Sequence, residues 1–530
     1  MLKNFILRHP DILLLIFLGC FVLFLDIRPL TQCMAGTPPG ARHTAVRGHP
    51  GDYYQYVYMI QRGIDGHLAF HNAYTDETIP DVILQPIYPL AGMIFGWLPI
   101  QAVSIYHIIR IASLVTLWLG VYLLIRIMLP GIPARISAVL LFMTSGGYWL
   151  PATYWPLSII NLGLPYNPFP LFVRFHTLPP HHSLIIAFIM FAFIRYTKKL
   201  WTPGNTIAVF VLTVAIGFLN PYLHYIYIAL LGADFLLGLI LHPTRRIEYT
   251  KRFAVIIASS VPVLLYHLVI VTVILKTYSS NTLLFGGNSI PFTAYLASLG
   301  PLLLLSVPAA FFISWKDPFK RLILLWGFLP LLLYFFPNIH IPISVYRMFE
   351  IYQYVPFAVL AAYTIWHISM RFIRFKFLIW IIPIACSLYG AVPYAVSYLE
   401  YKEQLKSPQS CTVLSKHTTE VFHYFKSSTP ADAVVLTDEI LGSILPTFTN
   451  SKVIVGHEGN NNRLYTQNLA WVQSFYGNEL TPDEVKEFIY GHHIRYVVFG
   501  FTTSEFAQSA YTDLFEPVFI SDTLTVAKVK

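Results

Sequence analysis

Gly48-His-Pro-Gly-Asp52-Tyr-Tyr opens a loop shortly beyond the first membrane-length apolar run, and Asp52 is the strongest candidate there for chemistry. A carboxylate just outside a bilayer, in a chain 56% hydrophobic and 12% charged, marks a site. It could take the proton of an incoming hydroxyl as general base, or hold a divalent cation, Mg or Mn. Tyr53, Tyr56/Val57 and Ile60 follow at helical spacing, which predicts an amphipathic helix lying on the membrane with Asp52 at its N-cap. Capping alone is the simpler role for Asp52. The Gly-His-Pro-Gly turn before it is more irregular than a surface helix requires. Asp76 and Glu77, with Asp81 close by, lie at the far end of the same loop, so two carboxyl clusters could bracket an acceptor together with Tyr53. Asp81 reads better as a solvated loop residue. No Asp-x-Asp occurs in the chain, so a tight metal–diphosphate site has no support in the sequence and no metal ligands are assigned.

A second loop carries Tyr166-Asn-Pro-Phe-Pro-Leu-Phe-Val-Arg174-Phe-His176 and then Pro179-Pro-His181-His182. The histidines suggest a metal, yet His181 and His182 are neighbours and no acidic residue accompanies them. Hydrogen bonding to phosphate, sugar hydroxyls or lipid headgroups suits them better, with a structural role as the alternative. Arg347, in Pro342-Ile-Ser-Val-Tyr-Arg347-Met-Phe-Glu350, heads a late apolar span on the side opposite the basic clusters. A guanidinium there can grip a lipid-linked phosphate bidentately, and Arg174 can assist. The alternative is snorkelling to phospholipid headgroups, or pairing with Glu350. Gly459 with Asn460 to Asn462 lacks the flanking pattern of a phosphate loop, and no Gly-x-Gly-x-x-Gly or nucleophile elbow is present.

The elements that must position these residues follow from apolar runs and charge. Lys and Arg cluster at every second boundary, from Lys3 and Arg8 to Arg371, Arg374 and Lys376. That positive-inside spacing accounts for the net charge of +9, and no nucleic-acid partner is needed. Spans are expected near 11–25, 102–127, 134–150, 183–197, 205–220, 224–241, 253–275, 293–314, 321–337, 349–369 and 377–398. The reading is a polytopic all-α membrane domain of about 11 transmembrane helices in the plasma (inner) membrane, N-terminus cytoplasmic. Val82 to Leu98, interrupted by Pro86 and Pro89, is expected as an interfacial or re-entrant helix. The long external segments are then Arg28 to Gln101, Pro151 to His182, Lys276 to Phe292 and Asn338 to Glu350, so the active face points away from the cytoplasm. Cys33 and Cys411 both fall outside, where a disulfide could form.

From about Glu400 charges become frequent and apolar runs shrink to strand length: 433–437, 452–455, 495–499, 518–520 and 524–529. Helical stretches alternate with them, such as Thr481 to Tyr490 with its Thr-Pro-Asp-Glu start. This predicts a small extracytoplasmic α/β domain with a mainly parallel sheet, ending in a hairpin at Ser521-Asp522. The division is 1–399, a membrane catalytic domain with its large first loop 28–101, and 400–530, a lid or acceptor platform without catalytic residues.

Together these features resemble the GT-C membrane glycosyltransferases, and among them bacterial relatives of the protein-O-mannosyltransferase family. Gly51-Asp52-Tyr53 opens the first loop as in that family; Tyr346-Arg347 before Val355-Pro356 and the Val-Ile-Val-Gly-His457 and Ile-Arg-Tyr-Val-Val-Phe499 segments are similar too. The resemblance implies an inverting transfer of a sugar from a polyprenyl-phosphate donor to a protein, lipid or glycan acceptor, beside membrane lipids. It implies Asp52 as base and Arg347 on the departing lipid phosphate. Many members have paired acids where this chain has Asp52-Tyr53, so a second acid would come from Asp76 or Glu77. The competing classes are a transporter or flippase of lipid-linked glycans, for which Asp234 and the Asn220-Pro221 break are the candidate features, and a glycan polymerase or ligase.

Overall fold

The computed structural model describes residues 9–44, 50–144, 179–198, 202–277, 296, 299–334, 351–389, 413–457, 465–501, 503 and 505–530. It divides into two compact units: 1–28, 111–267 and 284–403 form the first, and 29–110, 268–283 and 404–530 the second. The boundary falls inside the Ala102–Met128 helix. Sequence grouped the 28–101 loop with the membrane spans, but in the structure it folds with the C-terminal segment.

The first unit is helical. Among the described residues of the chain, Ala102–Met128, Pro221–Leu241 and Pro243–Ile270 are long and apolar enough to cross a membrane. Shorter apolar helices include Ile132–Thr144, Pro180–Tyr196 and Pro203–Leu219. Their sequences explain their ends. Thr202 accepts a hydrogen bond from the Asn205 N–H and Asn220 from the Leu223 N–H, each followed by Pro at the first helical position. Asn220 thus closes one helix and caps the next. The Asn220-Pro221 break is a turn between two helices, with no interrupted helix for a transport site. Asp234 is fully buried and receives the Arg321 Nε at 2.7 Å, and Arg321 also donates to the Trp315 carbonyl. A buried charge is tolerated when so paired. Ser306 donates to the Phe357 carbonyl at 3.0 Å, and Gln353 to the Gly327 carbonyl at 2.8 Å, joining the Tyr354–Arg371 helix to its neighbours.

In the second unit the strands, in chain order, are β1 (Arg42–His43), β2 (Val413–Leu414), β3 (Val434–Leu436), β4 (Lys452–Val453), β5 (Ile494–Phe499), β6 (Phe515–Ile520) and β7 (Thr525–Val529). The main sheet has the order β4-β3-β5-β7-β6. β4, β3 and β5 run parallel, whereas β7 joins β5 antiparallel and closes a hairpin with β6. The sheet is therefore mixed: a short turn joins β6 to β7, and only antiparallel strands accept such a turn. Val497, Phe499, Ala527, Phe475 and Val485 fill the core between sheet and helices. The Pro482–Gly491 helix begins with a complete capping box between Thr481 and Glu484.

Two features fasten the 29–110 loop to this sheet. β1 pairs antiparallel with β2, in the register Arg42 to Leu414 and His43 to Val413. The Val453 N–H of β4, an edge strand, donates to the Ala73 carbonyl at 2.9 Å. An edge strand presents unpaired backbone groups, and the loop covers one of them.

Candidate active site

Asp52 lies in the first turn of the Pro50–Ile64 helix, which starts two residues before the expected N-cap. A carboxylate there is favoured by the helix dipole. Nor is the helix a one-sided surface helix: every residue from Tyr53 to Ile60 is buried. A helix apolar all round is one packed on all sides.

Its neighbours are the Ile87–Phe95 helix, found within the segment expected as interfacial, and the Glu439–Phe448 helix. The first crossing is backbone on backbone. A Cβ on Gly63 would sit 2.1 Å from the Pro89 carbonyl oxygen, and one on Gly92 2.1 Å from that of Ile60. Only glycine permits such an approach. Tyr56 and Tyr88 stack beside it at 4.5 Å. On the other side Thr447 donates to the Tyr54 carbonyl at 3.1 Å.

The same helix packing delivers an unexpected partner. His457, just past β4, places Nε2 2.9 Å from Asp52 Oδ1. A carboxylate only accepts, so Nε2 carries the hydrogen. His457 Nδ1 is buried and has no partner among the described residues. The His457 side chain is 10% exposed and that of Asp52 46%, so the carboxylate is the member of the pair open to a reactant. Two glycines fix the His457 backbone. A Cβ on Gly442 would lie 2.0 Å from the Val455 carbonyl oxygen, and one on Gly456 2.7 Å from that of Gly442.

Asp76 forms a second pair of this kind, Oδ2 lying 2.7 Å from Nδ1 of His492, the residue that ends the Pro482–Gly491 helix. The other oxygen, Oδ1, is buried without a hydrogen-bond partner among the described residues. A third pair holds Asp81 to His71 Nδ1 at 2.9 Å, beside the Phe70–Val82 bridge that closes this part of the loop. Asp81 is exposed in its loop and pairs there with His71.

The remaining candidates are distributed as follows. The Tyr53 ring is buried against Tyr54 and Tyr106, and its hydroxyl donates to the Thr44 carbonyl at 2.6 Å. Burial pushes that hydroxyl well above the usual tyrosine range, so it stays a donor inside the fold and does not face a substrate. Glu77 donates its backbone N–H to Thr75. His181 and His182 belong to the first unit, at the start of the Pro180–Tyr196 helix, where His182 Nδ1 lies 2.6 Å from the Tyr352 hydroxyl. Arg347, Arg174, His176, Cys411 and Asn460 to Asn462 lie outside the described residues.

For a divalent cation the test is the donor set. Among the described residues, no group of three or more His, Cys, Asp or Glu is arranged to hold a metal ion. Asp52 and His457 alone, with their near atoms already hydrogen-bonded to each other, do not make the oxygen-rich shell that Mg or Mn takes.

Sequence alone missed His457 and His492. Both follow a glycine, Gly456 and Gly491, and of the two only Gly456 sits where a Cβ would meet backbone. Nothing in the sequence pairs them with acids some 400 positions away: the separations are 405 and 416 residues.

No family model matches the chain, and no curated protein matches it. Solved structures do. The oligosaccharyltransferase of Archaeoglobus fulgidus tethered to an acceptor peptide with the NVT sequon aligns over 93% of this chain and 69% of its own, with TM-score 0.56 and 12% identity. The same enzyme in complex with an inhibitory peptide and a dolichol-phosphate aligns over the same shares with TM-score 0.52 and 11% identity. Its apo form gives 0.54 and 10%. At these identities the likeness is one of fold: over 93% of its length this chain has a fold similar to that of the archaeal oligosaccharyltransferase.

Proposed function

We propose that the chain is an integral-membrane inverting glycosyltransferase that takes a sugar from a polyprenyl-phosphate donor on the extracytoplasmic face. The observation that carries this reading is Asp52: a half-exposed carboxylate, held from behind by a buried imidazole, in a GT-C fold. The dolichol-phosphate bound by the archaeal enzyme supports a lipid phosphate as the leaving group. Residues 1–399 would carry about 11 spans and 400–530 would lie outside the membrane with the 28–101 loop.

The step balances without a cofactor. The acceptor hydroxyl gives its proton to Asp52 while its oxygen attacks the anomeric carbon. The bond from that carbon to the phosphate oxygen breaks, and the polyprenyl phosphate leaves with the electron pair. One base and one stabilised leaving group suffice for inversion. Arg347, assisted by Arg174, would neutralise the departing phosphate. His176, His181 and His182 would border the donor and Glu77 the acceptor, with Asp76 held behind it by His492. The acceptor hydroxyl would belong to a protein, a lipid or a glycan. The transporter reading is weakened because Asp234 is neutralised by Arg321 and Asn220-Pro221 is a capped turn.

The test is transfer of radiolabelled sugar from a panel of polyprenyl-phosphate donors in membranes carrying wild type, Asp52→Asn or Arg347→Ala. General-base loss lowers turnover by about 10²- to 10⁴-fold. Full activity of Asp52→Asn, or no donor consumed by wild type, would overturn the reading.

A further inference from the structure

The C-terminal segment supplies more than a platform. We propose that His457 is a positioning residue for Asp52, setting the direction of its carboxylate, an inference that rests on the transfer reading above.

The carboxylate torsion of an aspartate is soft and roughly two-fold, so each hydrogen bond made to it narrows the planes it samples. A hydrogen bond from His457 Nε2 to Oδ1 at 2.9 Å fixes the plane and thereby the direction of the second oxygen. Both ends of that bond are independently clamped. The Asp52 helix is held by the Gly63–Gly92 crossing and by Thr447 on the Tyr54 carbonyl. The His457 backbone is held by the Gly442–Val455 contact and by the Val453–Ala73 hydrogen bond. The division of labour follows from exposure. His457 is nearly buried and its Nδ1 is inaccessible, so it cannot itself meet an acceptor; Asp52 can. The imidazole acts through the carboxylate.

A carboxylate hydrogen bond of this kind corresponds to about 10- to 100-fold in rate. In the sugar-transfer assay, His457→Ala is expected to lower kcat by that factor with the donor KM unchanged. His457→Gln, which keeps an N–H donor, is expected to recover much of it, and imidazole added to the Ala variant to recover part. The decisive comparison is a double-mutant cycle: in the Asp52→Asn background, His457→Ala should cost nothing further, because its effect passes through Asp52. A purely structural role would lower activity and folded yield equally in both backgrounds, and that additivity would overturn the proposal. So would wild-type kcat in His457→Ala while Asp52→Asn is inactive, which leaves the base assignment standing. If His457→Ala fails to fold, the Gln variant and its cycle carry the same test. Wild type that consumes no donor refutes the transfer reading, and the positioning role with it.

Discussion

Gly442→Ala separates the geometry of the candidate site from general stability. The new Cβ would lie 2.0 Å from the Val455 carbonyl oxygen, whereas carbon–oxygen contacts settle near about 3.3 Å. The 455–457 turn must therefore retreat by about 1.3 Å. His457 is two residues on, so a 2.9 Å hydrogen bond to Asp52 stretches to about 4 Å, beyond hydrogen-bond range. Overpacking costs about 1–3 kcal/mol, and a misplacement of about 1 Å at a reacting group costs about 10²-fold in rate. Gly63→Ala is the matched control, since its clash with the Pro89 oxygen is as severe, at 2.1 Å. There the Thr447 bond at Tyr54 acts as pivot, about 13 Å from Gly63 along the helix. A displacement of about 1.2 Å over that length is a tilt of about 5°, which moves Asp52, about 3 Å beyond the pivot, by only about 0.3 Å. Gly491→Ala, with open space around its Cβ, sets the baseline. Thermal denaturation in detergent should show both clashing variants less stable than Gly491→Ala. Sugar transfer below the melting range should fall about 10²-fold in Gly442→Ala and a few-fold in Gly63→Ala. Equal loss in the two would refute the lever argument, and no destabilisation in either would refute the close approach itself.

Two further outcomes follow from other parts of the molecule. Arg321→Ala removes the ion-pair partner of the buried Asp234, at a cost of about 3–5 kcal/mol. Folded yield by size-exclusion chromatography should collapse and return in the Asp234→Leu/Arg321→Met double variant. At Glu484 the Thr481 backbone N–H, then its hydroxyl, hold the exposed carboxyl below its ordinary range. A lowered folded value means the capping box stabilises above the unfolded value and is lost as pH falls through the folded one. Hydrogen-exchange protection factors at the start of the Pro482–Gly491 helix, taken relative to the intrinsic rate at each pH, should therefore fall below about pH 4.5, and Thr481→Ala should remove that pH step.

The location of each element was largely written in the chain. Periodicity and charge placed the apolar helices, since a bilayer demands long uncharged runs whatever their neighbours. The strand runs at 433–437, 452–455, 495–499, 518–520 and 524–529 correspond to β3 through β7, because a two-residue period and β-branched content are local properties. Asp52 stood out for the same reason: a charge in an apolar chain is conspicuous. The start of its helix lies three residues before the expected one, with Pro50 at the first helical position, where proline is well tolerated.

What the sequence by itself determined, then, was composition, periodicity and the conspicuous acid, all local quantities. Tertiary structure alone decided that the 29–110 loop folds with the C-terminal sheet, that Tyr53 is buried, and that Asp52 and Asp76 meet His457 and His492. Those facts depend on an edge strand seeking a partner and on glycines letting backbones touch. Each is a contact between residues far apart in the chain, and no pattern within a single window encodes it.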